Sequence, residues 1–301
     1  MMEQKKKVLF VATVVKTHIN TFYLPFLKMF KEYGWEVHVA AKNDFVDEPC
    51  VIPNCDRHFD IDFARSPFSK SNIKAYKQLK QIIETNHYDI IHCHTPVAGV
   101  LTRLAARTAK GTTVIYTAHG FHFYQGAPLI NWLVYYPVER VCGKFTDKLI
   151  TINQEDYHRA NSWRLRNNGK IYYVPGIGVD LEEIQNISIN KVQKKKEIGI
   201  SNDVKVLLSV GELNKNKNHE IIIRVLSKLT NKNFIYLICG NGELKEYLKN
   251  LAKELGVSDK VKFLGYRKDV LEIYKIADLF LFPSKREGLP CSLIEAMACG
   301  L

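Results

Sequence analysis

Pro283-Ser284-Lys285-Arg286-Glu287-Gly288-Leu289-Pro290-Cys291-Ser292-Leu293-Ile294-Glu295-Ala296-Met297-Ala298-Cys299-Gly300 follows directly on the apolar run Leu279-Phe280-Leu281-Phe282. That run has the composition of a buried strand. Pro283 and Ser284 end it, Gly288 and Pro290 set a tight turn, and residues 292–298 read as a helix. Two carboxylates stand eight positions apart, Glu287 in the loop and Glu295 in the expected first helical turn. The first N–H groups of a helix lack internal partners and its dipole favours negative charge there, so this junction suits a phosphorylated ligand. Beside phosphate, the two carboxylates fit as acceptors for sugar and ribose hydroxyls. The same residues also spell a capping box, Ser292-x-x-Glu295, in which the glutamate satisfies only a backbone donor. From these residues alone both readings stand.

Working back from this stretch, the second half of the chain repeats one pattern. Residues 204–213 read as a strand entering Asn214-Lys215-Asn216-Lys217-Asn218-His219. Residues 233–239 enter Gly240-Asn241-Gly242-Glu243, and residues 261–264 enter Gly265-Tyr266-Arg267. Helices are expected over 219–229, from the Gly242 loop to 255, and over 269–276. Each strand ends in a glycine or lysine loop that feeds a helix, which aims backbone N–H groups and cations at an anion such as a diphosphate. Upstream, Pro175-Gly176-Ile177-Gly178-Val179-Asp180 marks a boundary, since two glycines and a proline punctuate it. The expected domains are therefore 1–178, a linker 179–192, and 193–301.

The first half alternates strands (7–13, 36–41, 58–62, 89–94, 112–118, 148–153, 171–174) with helices (21–33, 73–85, 98–109). Such alternation predicts parallel βαβ units with right-handed crossovers, and ligands beyond the carboxyl ends of the strands. Two histidine constellations fall at those ends, His92-Cys93-His94-Thr95-Pro96 and His119-Gly120-Phe121-His122-Phe123-Tyr124. Four histidines raise the question of zinc, but no carboxylate or second cysteine completes a ligand set. Hydrogen-bonding histidines in a polar cleft are the commoner arrangement. Lys16, His18 and Asn20 lie in the loop expected after the first strand, which reads equally as ordinary surface. Residues 131–138 are aromatic and apolar. A packed helix is the weightier reading; the other makes Tyr124, Pro128, Leu129 and Trp132 a lip at a membrane interface.

Composition bounds these readings. The chain has 301 residues, is 46% hydrophobic, and can build two α/β cores. No signal peptide and no run near the roughly 18 apolar residues of a spanning helix is read. Seven scattered cysteines without a Cys-x-x-Cys pair point to free thiols in a reducing cytosol. The net charge of +12 is spread over both halves, which suits phosphorylated ligands or an anionic membrane. No nucleic-acid-binding pattern is visible, so nucleic acid is not expected.

The opening stretch resembles the Glu-x7-Glu signature of retaining nucleotide-sugar glycosyltransferases, in particular glycosyltransferase family 4. Pro283, Ser284, Glu287, Gly288, Pro290, Glu295, Ala296, Met297, Ala298 and Gly300 match it. His92-x-His94-Thr95-Pro96, then Gly99-x-x-x-Arg103-Leu104-Ala105-Ala106, then Thr117-Ala118-His119-Gly120-Phe121-His122-Phe123 resemble family 4 enzymes that build bacterial surface polysaccharides and glycans on lipid carriers. The resemblance covers essentially the whole chain. It implies a GT-B fold, two Rossmann-like doubly wound α/β domains with the second incomplete. It also implies transfer of a sugar, with retention, from a nucleotide donor (UDP-linked) to a glycan or lipid-linked sugar. In that reading His119 reaches the donor sugar, Lys217 grips the diphosphate and Glu287 holds donor-sugar hydroxyls. Glu295 holds the ribose, backbone N–H groups of Gly288 and Leu289 orient the sugar, and Gly211 and Gly240 belong to the donor loops. Tyr266 and Arg267 lie at the base, and His94 and His122 face the acceptor. Many relatives carry arginine where this chain has Glu212; Lys215 or Arg286 would compensate. Neither a cofactor nor a bound metal is expected. The implied partners are the nucleotide-sugar, the glycan or lipid-linked acceptor, and an anionic membrane at the cytoplasmic side.

Family members continue beyond the position matching Leu301. The second sheet is accordingly expected to lack a final strand, with an unpaired edge. Two alternatives accompany the transferase reading: a GT-B nucleotide-sugar epimerase, and a non-catalytic remnant.

Overall fold

The computed structural model describes residues 5–46, 48–64, 66–176, 178–230 and 233–301. The chain divides into two units, Met1–Gly176 and Ile177–Leu301. The first contains strands β1 (Lys7–Val14), β2 (Glu36–Lys42), β3 (Arg57–Asp60), β4 (Ile90–His94), β5 (Thr113–Ala118), β6 (Lys148–Thr151) and β7 (Lys170–Tyr173). Its helices are α1 (Asn20–Phe22), α2 (Leu24–Glu32), α3 (Ser71–Asn86), α4 (Pro96–Ala105), α5 (Leu129–Gly143) and α6 (Gln154–Ala160). The strands form one sheet in the order β3-β2-β1-β4-β5-β6-β7, with every pairing parallel. Val8 through Ala12 are completely buried. A continuous apolar run is what a central strand covered on both faces requires.

Register is set by carboxylates just before strands. Asp89 accepts from the Lys7 N–H at 2.8 Å and Asp147 from the Val114 N–H at 2.7 Å. Asp56 and Asp278 do the same for Val37 and Val206. Each satisfies a strand-end donor that the ladder leaves open.

The second unit contains β8 (Lys205–Val210), β9 (Phe234–Cys239), β10 (Val261–Gly265) and β11 (Leu279–Phe280) in the order β10-β9-β8-β11, again parallel. Its helices are α7 (Leu181–Asn186), α8 (Lys191–Glu197), α9 (His219–Leu226), α10 (Lys245–Glu254), α11 (Val270–Ile276) and α12 (Cys291–Ala298). Helices α9 and α10 give one apolar cluster with Phe234, Tyr236 and Ile238; α11 and α12 give the other with Val206, Leu208 and Leu237. Both faces of the sheet are thus covered, as a doubly wound unit requires.

Three expectations need correction. The loop expected after β1 is a π-helical turn, Val15–Ile19, with Val15 and Ile19 buried. Its apolar ends fold back on the core rather than onto the surface. Residues 179–192, expected as a linker, fall in the second unit and carry α7, capped by the Asp180 carboxylate on the Glu183 N–H at 2.9 Å. The turn read around residue 177 lies outside the described residues. Finally, of the strand expected over 279–282, Leu279 and Phe280 form β11, and the Leu281 N–H still donates to Leu208 O of β8 at 2.7 Å.

Candidate functional site

In the second unit, the loops leaving β8, β9 and β10 are laced together by their backbones. The Gly211 N–H donates to Cys239 O (2.9 Å), Gly240 N–H to Gly265 O (2.7 Å) and Leu213 N–H to Asn241 O (2.9 Å). The approach is so close that a Cβ on Gly240 would lie 1.9 Å from Gly211 O. Only glycine fits there. A Cβ on Gly211 would meet Lys217 Cε at 3.1 Å, so the lysine stem runs across Gly211.

Lys217 Nζ lies 2.8 Å from Glu287 Oε1, with both side chains about one-fifth exposed, and 5.6 Å from the Phe282 ring centroid. Asparagines position this pair. Asn214 Oδ1 accepts from the N–H groups of Asn216 (3.0 Å) and Lys217 (2.9 Å), an Asx-type turn that fixes the lysine's backbone. Asn216 Nδ2 donates to Arg286 O (2.8 Å) and reaches Glu287 Oε1 (3.5 Å), while the Lys285 N–H donates to Asn216 O (2.8 Å). Asn218, in the left-handed conformation at φ 54°, donates from Nδ2 to Pro283 O. The 214–218 loop is therefore stitched to the 283–287 loop. The asparagines were legible only as loop residues, because no spacing rule distinguishes a stitch from a solvated turn.

Glu295 sits elsewhere than expected. Helix α12 opens at Cys291 with Pro290 at the N-cap and no side-chain cap, so Glu295 falls in the second turn and the capping box is not formed. Its carboxyl group is 3.0 Å from the Tyr274 hydroxyl, which also donates to Ser292 O at 2.9 Å. Burial raises its pKa; the Tyr274 hydrogen bond opposes that rise and the Glu183 carboxylate adds to it. Gly288 and Leu289 form the bend just before α12. Tyr266 is well exposed. Arg267 is held on Asp269 through Nε (2.7 Å) and Nη2 (2.5 Å); that hydrogen bonding takes the Asp269 pKa down to about 2, against burial and with help from Lys194. Glu212 accepts from Asn214 Nδ2 at 3.0 Å.

In the first unit, the carboxyl ends of β1, β4 and β5 bring four imidazoles together. His18 comes from the π-helical turn, His92 and His94 from β4, and His119 from the residue after β5. Ring centroids are 4.1 Å apart for His92–His94, 5.8 Å for His94–His119 and 5.4 Å for His18–His119. The Tyr23 hydroxyl is 2.5 Å from His119 Nε2, and its ring lies 3.8 Å from that of His94. His92 Nε2 pairs with Thr117 Oγ1 at 2.8 Å. Burial pushes His18 and His92 down to about 3 and His119 to about 4, and holds His94 well below the usual range. The neighbouring imidazoles depress His18, His92 and His94 further. At neutral pH this is a set of uncharged rings. Among the described residues no three histidine, cysteine or carboxylate side chains stand where they would hold a metal ion. Thr95, next to His94, has φ 63°, a strained conformation for a β-branched residue, and its hydroxyl pairs with Thr13 at 2.8 Å.

His18, for which a cleft-facing loop and ordinary surface were both open readings, is part of this cluster. Tyr23 and Thr95 were missed: Tyr23 reads as one more apolar position of a helix, and a residue before proline reads as merely extended. His122 does not join the cluster; its ring lies 4.8 Å from Tyr135 of α5.

The chain matches two family models, "Glycosyl transferase 4-like" over residues 7–153 and "Glycosyl transferases group 1" over residues 190–301. It is 44% identical over 298 residues to the putative glycosyltransferase EpsD of Bacillus subtilis, covering 97% of this chain and 76% of that protein. It is 34% identical over 238 residues to the UDP-Gal:alpha-D-GlcNAc-diphosphoundecaprenol alpha-1,3-galactosyltransferase of Escherichia coli, covering 77% of this chain and 60% of that one. Among solved structures, WaaG, a glycosyltransferase involved in lipopolysaccharide biosynthesis, aligns with a TM-score of 0.76 at 19% identity (98% of this chain, 79% of that one). HepE of Anabaena in complex with UDP and glucose aligns at 0.75 and 21% (98% and 79%).

Proposed function

Since the chain belongs to glycosyltransferase family 4 and has the GT-B fold, we propose that it transfers a sugar, with retention of configuration, from a UDP-sugar to a lipid-linked sugar. The setting would be bacterial surface-polysaccharide synthesis at the inner face of the plasma membrane. The observation that carries this reading is the Lys217–Glu287 pair at 2.8 Å. It joins a cation suited to a diphosphate to a carboxylate suited to sugar hydroxyls, beside the opening of α12. A named ligand supports the donor class in one similar structure, HepE with UDP and glucose. The Escherichia coli relative's name supports a diphosphate-linked lipid acceptor.

The proposed mechanism places the developing charge on the leaving diphosphate. Lys217 Nζ and the N-terminal N–H groups of α12 stabilise it as pre-set donors. Glu287 exchanges part of its contact with Lys217 for donor-sugar hydroxyls. Gly288 and Leu289 orient that sugar through their backbones. Glu295, whose pKa burial raises, pairs with the ribose hydroxyls. The tight crossing of Gly211 and Gly240 leaves room for a diphosphate against bare backbone, and Tyr266 and Arg267 border the base. His119, uncharged at neutral pH, is the proposed sugar contact of the first unit.

The test is product formation from UDP-galactose and a diphosphoundecaprenol-linked N-acetylglucosamine. A disaccharide that requires the acceptor and retains the anomeric configuration is expected. Conversion of the UDP-sugar alone, without acceptor, would overturn transfer in favour of epimerisation.

A further inference from the structure

Tyr23 stands between α1 and α2, just ahead of Leu24 and Pro25. Its backbone is fixed on both sides: the N–H donates to Ile19 O at 2.9 Å, and the carbonyl accepts from the Leu27 N–H at 3.0 Å. Its ring lies against His94 and packs near Phe10, and the residue is 2% exposed. A buried hydroxyl has one proton to place, and leaving that proton without an acceptor is costly. Among the described residues the one hydrogen-bond partner of Tyr23 Oη is His119 Nε2, at 2.5 Å. Both nitrogens of His94 and Nε2 of His18 are buried without a hydrogen bond, so these neighbours do not take the proton.

An uncharged imidazole has one N–H and one nitrogen lone pair. A proton on His119 Nε2 would point at Tyr23 Oη and strand the hydroxyl proton in the core. A proton on Nδ1 leaves the Nε2 lone pair to accept from the Tyr23 hydroxyl, and both groups are then satisfied. We propose that Tyr23 is the positioning residue of His119: it donates to Nε2 and fixes the imidazole as the Nδ1–H tautomer. The bond made by one ring nitrogen sets what the other can do. His119 is half-buried, and its Nδ1 is neither hydrogen-bonded among the described residues nor sealed in the core. An Nδ1–H is a donor. It selects an oxygen lone pair, such as a sugar hydroxyl presents, and it cannot take up a proton there. His119 therefore orients the donor sugar and is not a general base. The inference rests on the reading of His119 as the sugar contact of the first unit. It deepens that reading by naming the atom and the direction of the hydrogen bond.

The test labels the histidine nitrogens of the whole chain isotopically and reads the His119 ring by NMR at neutral pH, without ligand. The signals lost in His119→Gln identify that ring. Wild type should show a protonated Nδ1 and an unprotonated Nε2. Tyr23→Phe keeps the ring and removes only the hydroxyl, so its melting temperature should stay near the wild-type value while Nε2 becomes protonated in a substantial share of molecules. A wild-type proton on Nε2, or the same fixed Nδ1–H tautomer in Tyr23→Phe, would overturn the proposal. In the transfer assay, Tyr23→Phe should lower kcat/KM for the UDP-sugar about fivefold to tenfold. The melting-temperature rise given by UDP alone should be unchanged. An equal loss of the response to UDP would mark a merely structural role and also overturn it. Absence of turnover in wild type would fail the transferase reading alone, and the ring-nitrogen signals would still decide this one.

Discussion

A methyl group at Gly240 would collide with the Gly211 carbonyl at 1.9 Å, on a residue whose φ is +146°. Gly240→Ala should therefore destabilise the second unit by about 2–4 kcal/mol, seen as a lower denaturant midpoint. Lys217 makes a different kind of contribution. It is partly exposed, and its pair with Glu287 contributes little to stability. Lys217→Ala should leave the melting temperature within a few degrees of wild type while lowering kcat by about 10²–10³. Unchanged turnover would remove Lys217 from the mechanism. The four imidazoles predict a pH effect of defined sign. Their folded pKa values lie far below the unfolded value of about 6.5. Above that value both states are uncharged and these groups add no pH dependence. As pH falls through it, the unfolded chain takes up protons that the folded unit refuses. Stability should thus be lost from about pH 6.5 down to the folded values, about 3 for His18 and His92 and about 4 for His119, by about 1.4 kcal/mol per pH unit for each histidine. Urea midpoints measured from neutral pH to about pH 5 should fall, and fall less steeply in His92→Gln; parallel slopes in the two proteins would count against this.

At the scale of elements, α4 and α5 are joined by one buried pair. The Arg103 guanidinium donates to Glu139 at 2.8 Å and to Gly99 O at 3.0 Å, and lies 3.9 Å from the Tyr116 ring centroid. Burial alone would favour a neutral side chain; the Glu139 carboxylate outweighs it and keeps the charge. Removing one partner strands the other, so Arg103→Ala should cost about 3–5 kcal/mol, read from chemical denaturation. The close fit extends to Gly99, where a Cβ would lie 2.6 Å from the Tyr116 ring. This gives the Gly99-x-x-x-Arg103 spacing a physical meaning that the sequence pattern alone lacked. Regular elements were legible because parallel strands buried on both faces leave uninterrupted apolar runs, as in Val8 to Ala12. The π-helical turn at 15–19 was not legible, since its residues carry no cap and no period. The start of α12 was misplaced by one residue because Ser292 is a better cap type than Pro290, and tertiary contacts of Glu295 with Tyr274 override that preference.

For the whole molecule, the two parallel sheets and the loops that carry the candidate site could be anticipated from chain order. The contacts that arm the site could not. Asn216 meets Arg286 and Glu287 across 70 and 71 positions of sequence, and His18 meets His119 across about 100; such pairings depend on which strand ends are neighbours in a sheet. The most direct measurement is the thermal melt of the chain with and without UDP-sugar, for wild type and Lys217→Ala. Ligand at a hundredfold excess over Kd should add about 2.7 kcal/mol to wild-type stability and raise its melting temperature, and Lys217→Ala should lose most of that rise. A cooperative wild-type melt that UDP-sugar leaves unmoved, or an equal rise in both proteins, would contradict a donor site built on Lys217 and Glu287.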